Sequence, residues 1–584
     1  MKRTDSSKLW SYLCGRLSVL ILAGGLLVAC DKENESGNTL KDGDAYINVK
    51  IAYSDPVTKG QAAEPPFYYG TAAEQKINNA YFIFYYADGS FCQYVKKTDL
   101  KMNSQGAGAS TDKNIEELSD GVVLLRGLKS KQYPVYMSVI LNSEDEWIGA
   151  NIENKSIEEA SKAVQSAIAT ADKNDQVNWT NFMMSSSSFD NSDAVSGYYC
   201  TKLKASNFQE SEALAIAEGN PVEAYVERLA AKVKVEFAES LGTSGKIGSF
   251  TVNGTSKDLY FNVTGWGLNA TTKDSYCFKN INTGWTEETL GFKWNDAANF
   301  RSYWGKSTNY GTGIYPGTYG SSVDKYDEKT ATLNYITYND LKVGINGNAY
   351  CRENTNDPEV LGKNFSGTVT SVLLKAQVTD KEGNAVTLYN FAGSLYDEAN
   401  YKAAALNSFE ASTTNRIWKK TVSGGNTTYT KVTADDLSVV ISADGYAHVE
   451  LKEASNYCFG AGETSTKDAT TAEINKLLNG DEAYKYNTGC SFYKEGMMYY
   501  NIPIEHLRDD GKYNDSDYVQ KEGNYGVVRN HYYIITVNSI RNLGKAVNVP
   551  DERIIPNDDD VKNYFVAAKI NVLSWKVVRQ SVDL

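Results

Sequence analysis

Histidine is scarce in this chain: His448, His506 and His531 are the only three in 584 residues. None sits in an H-E-x-x-H pattern or has a cysteine or carboxylate at ligand spacing, which removes the common routes to a zinc site. No cysteine lies in a C-x-x-C pair, so a redox or zinc motif of that kind is excluded as well. There is no G-x-S-x-G elbow and no other nucleophile motif. Gly305-Lys306-Ser307 copies the end of a phosphate-binding loop, but the first glycine that loop requires falls on Phe300. The acidic stretches 509–517 and 557–560 lack the glycine and closing glutamate of an EF-hand and read as solvated surface. The expectation is a protein with no metal, no cofactor and no enzymatic activity. A basic surplus is missing too. Without residues 1–29, which hold four basic residues and one acidic one, 55 Lys+Arg face 71 Asp+Glu, a net charge of −16. Such a surface suits neither nucleic acid nor an anionic membrane. Long apolar runs are absent: the longest, 17–29, is too short to span a bilayer as a helix.

What that short run does form is a targeting segment. Lys2, Arg3, Lys8 and Arg16 precede it, and Leu27-Val28-Ala29-Cys30 closes it. The pattern resembles a bacterial lipobox, which is cut before the cysteine and lipidated on its thiol. Asp31, Glu33 and Glu35 come next, as in the surface-export signal of Bacteroidota lipoproteins. With Cys14 in the signal and Cys30 lipidated, Cys92, Cys200, Cys277, Cys351, Cys458 and Cys490 remain. An even number in an exported protein permits disulfides and leaves their pairing open.

Tyrosine is abundant, at 41 residues, and Gly and Asn turns separate stretches rich in aromatic and β-branched residues. That composition favours sheet. Ala45, Ile47, Val49, Ile51 and Tyr53 alternate with Tyr46, Asn48, Lys50 and Ala52, a half-buried strand. An open loop bounded by Pro56 and Pro66 comes after it, and Lys59-Gly60 inside it is a natural place for proteolysis. Further strands are predicted over 77–87, 122–125, 133–142, 248–253, 368–378, 437–442, 445–451 and 525–540. The run 222–236 reads as one long strand containing a domain boundary. Ser156 and Glu159 have capping-box spacing and predict a helix reaching to about Lys173; Thr470 and Glu473 predict another over 471–479. Residues 545–562 read as a polar linker. In the tail, Val566, Ala568, Ile570 and Val572 share one face, whereas Leu573, Trp575 and Val577 fall on the other. A shift of one residue flips every side chain, so two strand segments meet at a bulge near 573–574. This apolar tail is either the last strand of its own domain or a strand meant for another molecule.

The stretch Val527-Val528-Arg529-Asn530-His531, the strand after it, Val572-Leu573-Ser574-Trp575-Lys576-Val577 and the ending Val582-Asp583-Leu584 resemble the C-terminus of Bacteroidales fimbrillins, the type V pilins. Within that family the likeness is to the stalk subunit of the minor fimbrium. Val139-Ile140-Leu141-Asn142 and Val226-Glu227-Arg228-Leu229-Ala230-Ala231-Lys232-Val233 fall in the family's order. The resemblance implies a mainly β fold of two transthyretin-like β-sandwich domains with a few short helices and a C-terminal donor strand. It divides the chain into a signal peptide (1–29), a lipidated propeptide with a removable first strand (30–59), an N-terminal domain (60–228), a C-terminal domain (229–562) and a donor tail (563–584). It implies an outer-membrane lipoprotein precursor, cleavage at Lys59–Gly60, and head-to-tail assembly through Val566, Ile570, Val572, Leu573, Trp575 and Val577. The product is an extracellular fimbrium supporting adhesion and biofilm formation. Partners would be other copies of the chain, anchor and tip subunits and a processing protease. The best-known members carry arginine where Lys59 stands, so the protease and the exact bond are left open. The competing expectations are a monomeric surface lipoprotein that binds glycans or host ligands through its aromatic residues, or an anchor or tip subunit.

Overall fold

The computed structural model describes residues 40–54, 70–98, 100–102, 115–171, 175–187, 199–217, 221–281, 305–311, 331–356, 365–413, 415–441, 446–463, 466–479, 490–506, 523–547, 549–556 and 576–583. Cys30, Lys59, Gly60, Val566, Ile570, Val572, Leu573 and Trp575 lie outside them, as do both acidic loops.

Alternating sequence builds most of what is seen, and the fold is mainly β. The first group of strands is β1 (Gly43–Ser54), β2 (Ala80–Tyr85), β3 (Phe91–Lys97), β4 (Ile115–Leu128), β5 (Tyr136–Leu141), β6 (Met184–Ser186) and β7 (Val222–Arg228). They pair in the order β3-β2-β5-β6-β7-β1-β4. β7 changes partner midway: residues 222–225 pair with β1, and 226–228 with β6. All these strands share one apolar core, in which Ile47, Phe82, Val123, Val139 and Val226 meet Ile148, Ile157 and Phe278 from outside the strands. β2 and β5 are buried along their whole length.

The second group is β8 (Ala230–Phe237), β9 (Ser244–Val252), β10 (Thr255–Asn269), β11 (Asn348–Arg352), β12 (Ser371–Thr379), β13 (Met497–Pro503), β14 (His531–Ser539) and β15 (Lys576–Asp583). β11-β8-β14-β15 form one sheet, and β9-β10-β12-β13 lie consecutively in another. A second core joins them through Val233, Val235, Trp266, Leu374, Tyr500, Tyr533 and Ile535. The run 222–236 is thus two strands, broken at Leu229 and placed in different sheets. A third, smaller core gathers Tyr389, Tyr401, Phe409, Ile417, Leu437 and Ile474. The hairpin of Leu437–Ile441 with Ala447–Leu451 and the helices Glu398–Thr413 and Thr471–Leu478 contribute to it. The capping box at Thr470 and Glu473 forms as its spacing predicts.

Three expectations are corrected. Ser156 and Glu159 do form their capping box, but the helix is a single turn, Ile157–Ala160. Val164 and Gln165 pair instead as a short strand with Tyr276 and Ser275, so tertiary pairing overrides the local periodicity. The strand expected over 525–540 begins only at His531, after Asn530 turns through a positive φ of 58°. The linker expected over 545–562 is tied down as far as 556: Lys545–Ala546 pairs with β13, and the Ile554 carbonyl accepts from the Asn269 amide. The open question of the cysteines is answered as well. Among the described residues no disulfide joins any of the six; five are buried and Cys92 is half-buried. Alkylation of the unfolded, unreduced chain should label each of these six cysteines; a disulfide-linked peptide in a digest would contradict this.

Candidate assembly site

β1 is an internal strand. On one side it runs antiparallel to β4 from Gly43↔Leu128 to Ser54↔Ile115. On the other it runs parallel to β7 over Val49↔Val222 to Ala52↔Tyr225. Nearer its start, Tyr46 exchanges backbone hydrogen bonds of 2.8 and 2.9 Å with Gln209. Ala45, Ile47, Val49 and Ile51 point into the first core, and the last three are 0% exposed. Tyr46, Asn48 and Lys50 are half-buried on the opposite face. Taking β1 away would strip backbone partners from two strands at once and open an apolar trough one strand wide, the geometry that accepts an added strand.

The chain is next described from Gly70, and it is anchored at once. Thr71 caps the short helix Ala72–Gln75, whose Glu74 is 1% exposed. Glu74 Oε1 lies 2.8 Å from Lys232 Nζ, with both side chains 1% exposed, and accepts a 2.6 Å hydrogen bond from Tyr350 OH. Lys232 also sits 4.8 Å from the centre of the Tyr532 ring, a cation–π distance. Burial by itself raises the Glu74 pKa. The Lys232 charge and the hydrogen bonds from Lys232, Tyr350 and Thr71 outweigh it and hold the carboxyl below its ordinary range. Burial lowers the pKa of Lys232, and Glu74 offsets this only in part.

This pair belongs to a buried polar layer. Arg228 Nε donates to the Glu74 carbonyl at 2.9 Å, and Arg228 Nη1 donates to Asn530 Oδ1 at 3.3 Å. The Asn530 amide in turn donates to the Ala230 carbonyl at 2.8 Å. Arg529 bonds Glu353 at 3.2 Å and donates to the carbonyls of Cys277 and Tyr276. Lys279 meets Glu227 at 3.0 Å. Gly305 packs close to Lys279 and Glu353, where an added Cβ would lie 3.0 and 3.1 Å from their atoms. That close approach accounts for this glycine in place of a phosphate loop.

The layer sits where β8, β11 and β14 serve both cores. Ala230, Tyr350, Tyr532 and Ile534 face the first; Ala231, Val233, Cys351, Tyr533 and Ile535 face the second. Two of the stretches singled out in the sequence, 226–233 and 527–531, meet here. Glu74, Lys279 and Glu353 escaped sequence reading, since isolated charged residues far apart in the chain give no periodic signal. His531 is buried, with Nδ1 2.7 Å from the Arg529 carbonyl, and His506 Nδ1 lies 2.9 Å from Tyr533 OH. Among the described residues, no group of three or more His, Cys, Asp or Glu could hold a metal ion.

Of the six apolar residues expected to face the next copy, Val577 alone is described. It lies in β15, which pairs parallel with β14 of its own chain from His531↔Lys576 to Ser539↔Asp583. β15 forms the outer edge of the β11-β8-β14 sheet.

Residues 491–581, which include β13, β14 and most of β15, match the family described as "Major fimbrial subunit protein type IV, Fimbrillin, C-terminal". The likeness to that family is confined to this C-terminal stretch of the chain. Among curated protein sequences, none matches significantly. Solved structures with some likeness include a fimbrilin from Porphyromonas gingivalis (12% identity, 92% of this chain and 97% of that one, TM-score 0.29). Others are a fimbrial assembly protein from Parabacteroides distasonis (10%, 73% and 98%, 0.25) and a C-terminally truncated tip fimbrial protein from Porphyromonas gingivalis (9%, 66% and 99%, 0.25). With TM-scores this low, neither fold nor function is carried across from them.

Removing one partner of a buried ion pair strands the other. Glu74→Leu should therefore cost about 3–5 kcal/mol in urea unfolding, and adding Lys232→Met should restore most of it. The depressed Glu74 carboxyl contributes stability that is present above the ordinary glutamate pKa of about 4.3 and is lost as pH falls through its lower folded value. Below about pH 4.3 the urea midpoint should accordingly fall more steeply in the parent than in the double variant.

Proposed function

We propose that the chain is a stalk subunit of a surface fimbria that is exported as a lipoprotein on Cys30, sheds β1 through cleavage after Lys59, and polymerises by donating residues 564–584 to the next copy. The observation that carries this reading is the position of β1: an internal strand with a buried apolar face, close before Lys59 in the sequence. Cleavage there would release a segment whose described residues are held chiefly by the pairing of β1. The anchored Glu74 keeps the chain downstream of the cut in place, so the trough opens without loosening the helix Ala72–Gln75 or β2 beyond it.

The donor replaces what was lost. Ile47, Val49 and Ile51 each bury side chains worth roughly 1.5–3 kcal/mol. Val566, Ile570, Val572, Leu573, Trp575 and Val577 offer apolar groups of the same kind, and main-chain bonding to β4 and β7 is restored. In the isolated chain the 8 residues of β15 lie on β14, so donation of the whole tail draws them off that edge. A head-to-tail contact of this sort does not close on itself and extends into a filament. The reading divides the chain at Leu229 into domains 60–228 and 229–562, with the β8-β11-β14 sheet and its polar layer as the joint. Its partners are further copies, anchor and tip subunits, and a protease that accepts lysine. Before cleavage the lipid on Cys30 holds the precursor at the outer membrane.

N-terminal sequencing of assembled fibres should begin at Gly60, and a start upstream of residue 45 would overturn the processing step. Lys59→Ala should leave lipidated monomers at the membrane. Deleting 564–584 should abolish polymers while leaving a folded, cut monomer; polymers formed by that truncated chain would rule out donation by the tail.

A further inference from the structure

The tripeptide Ile-Asn-Val occurs twice in the chain, at 47–49 and 570–572. The match extends outward: Ala45-Tyr46-Ile47-Asn48-Val49 stands against Ala568-Lys569-Ile570-Asn571-Val572, identical except at the second position. The first copy is the middle of β1. Its Ala45, Ile47 and Val49 fill the first core, paired with Leu125, Val123 and Gly121 of β4, while Val49 also pairs with Val222 of β7. Resting on the reading that the tail replaces β1, we infer that residues 568–572 of a second copy enter the trough in the register and direction of 45–49. Ala568 takes the place of Ala45, Ile570 of Ile47 and Val572 of Val49, antiparallel to β4 and parallel to β7.

Strand alternation alone does not account for this match. Alternation asks only for some apolar residue at every second position, whereas here the sizes repeat in order, small, large, medium. Asparagine is disfavoured in strands, yet one stands at the same outward position in both copies. The likeness stops after Val572, where Leu573, Ser574 and Trp575 would fall on Lys50, Ile51 and Ala52. The apolar phase of the tail flips there, at 573–574. The β1–β4 ladder has its own irregularity between Ile51 and Ala52, one residue further on. A donor that keeps the β1 register to Val572 therefore meets a ladder already bent to take a bulge.

The register is read by disulfide trapping between two chains, both Cys92→Ser, one carrying a tail cysteine and the other a β4 cysteine. Asn48 is opposite Val122, and Tyr46 is opposite Leu124, on the half-buried face away from the core. Asn571→Cys should therefore cross-link to Val122→Cys, and Lys569→Cys to Leu124→Cys, in assembled material, whereas Asn571→Cys with Leu124→Cys should not. Where the full-length variants do not assemble, a synthetic peptide of residues 564–575 bearing Asn571→Cys, added to cut and tail-deleted subunits, gives the same readout. Cross-linking only in the slipped pair, or in none of the three while polymers form, overturns the register and leaves strand donation standing. Polymers from a chain lacking 564–584 would instead remove the reading beneath it.

Discussion

A strand inside a sheet must satisfy its backbone on both edges and its apolar face in the core, and β1 meets all three demands with one short segment. Its neighbours depend on it in turn. β4 has β1 along its length, and the first half of β7 has it on the side away from β6. Unpaired backbone groups in a buried sheet are costly. A molecule that loses β1 is therefore driven to find another strand of the same pattern, and a sequence of that pattern is present near its other end. The first core depends on the pairing of β1.

The second constraint is electrostatic. Charges with no access to water are tolerated only when they are paired and hydrogen-bonded. Here three such pairs lie together around β8, β11 and β14, the strands whose two faces serve two cores. Apolar packing alone would let these faces slide. Arg228, bonded at once to Glu74 and Asn530, ties the segment after β1 to the turn that opens β14. The consequence is that the segment after β1 is tied to the strands that join the two cores.

Much of this was legible in the sequence. The alternation of Ala45, Ile47, Val49 and Ile51 defines a strand and its inward face, and Thr470 with Glu473 marks a helix start. The phase change at Leu573 is visible without coordinates. What was hidden depends on distant partners. Nothing near β1 says that it is internal, or that it runs parallel to a strand beginning at Val222. The run 222–236 looks continuous because both of its halves alternate, and only their different sheets separate them at Leu229. Arg228 and Asn530 stand 302 residues apart, and Glu74 is an ordinary helix-start glutamate until Lys232 and Tyr350 surround it. The capping box at Ser156 was correctly legible but its helix was not, since pairing of Val164 and Gln165 with Ser275 and Tyr276 took over after one turn.

The central claim is that β4 and β7 border a place vacated by one strand and refilled by another. Hydrogen exchange of the backbone amides in 115–128 and 222–225 tests it most directly, because exchange reports local opening of a ladder rather than global unfolding. The account predicts slow exchange in the uncut chain, fast exchange in the cut monomer and slow exchange again in the fibre. Amides that stay protected in the cut monomer, or that remain fast in the fibre, would contradict it.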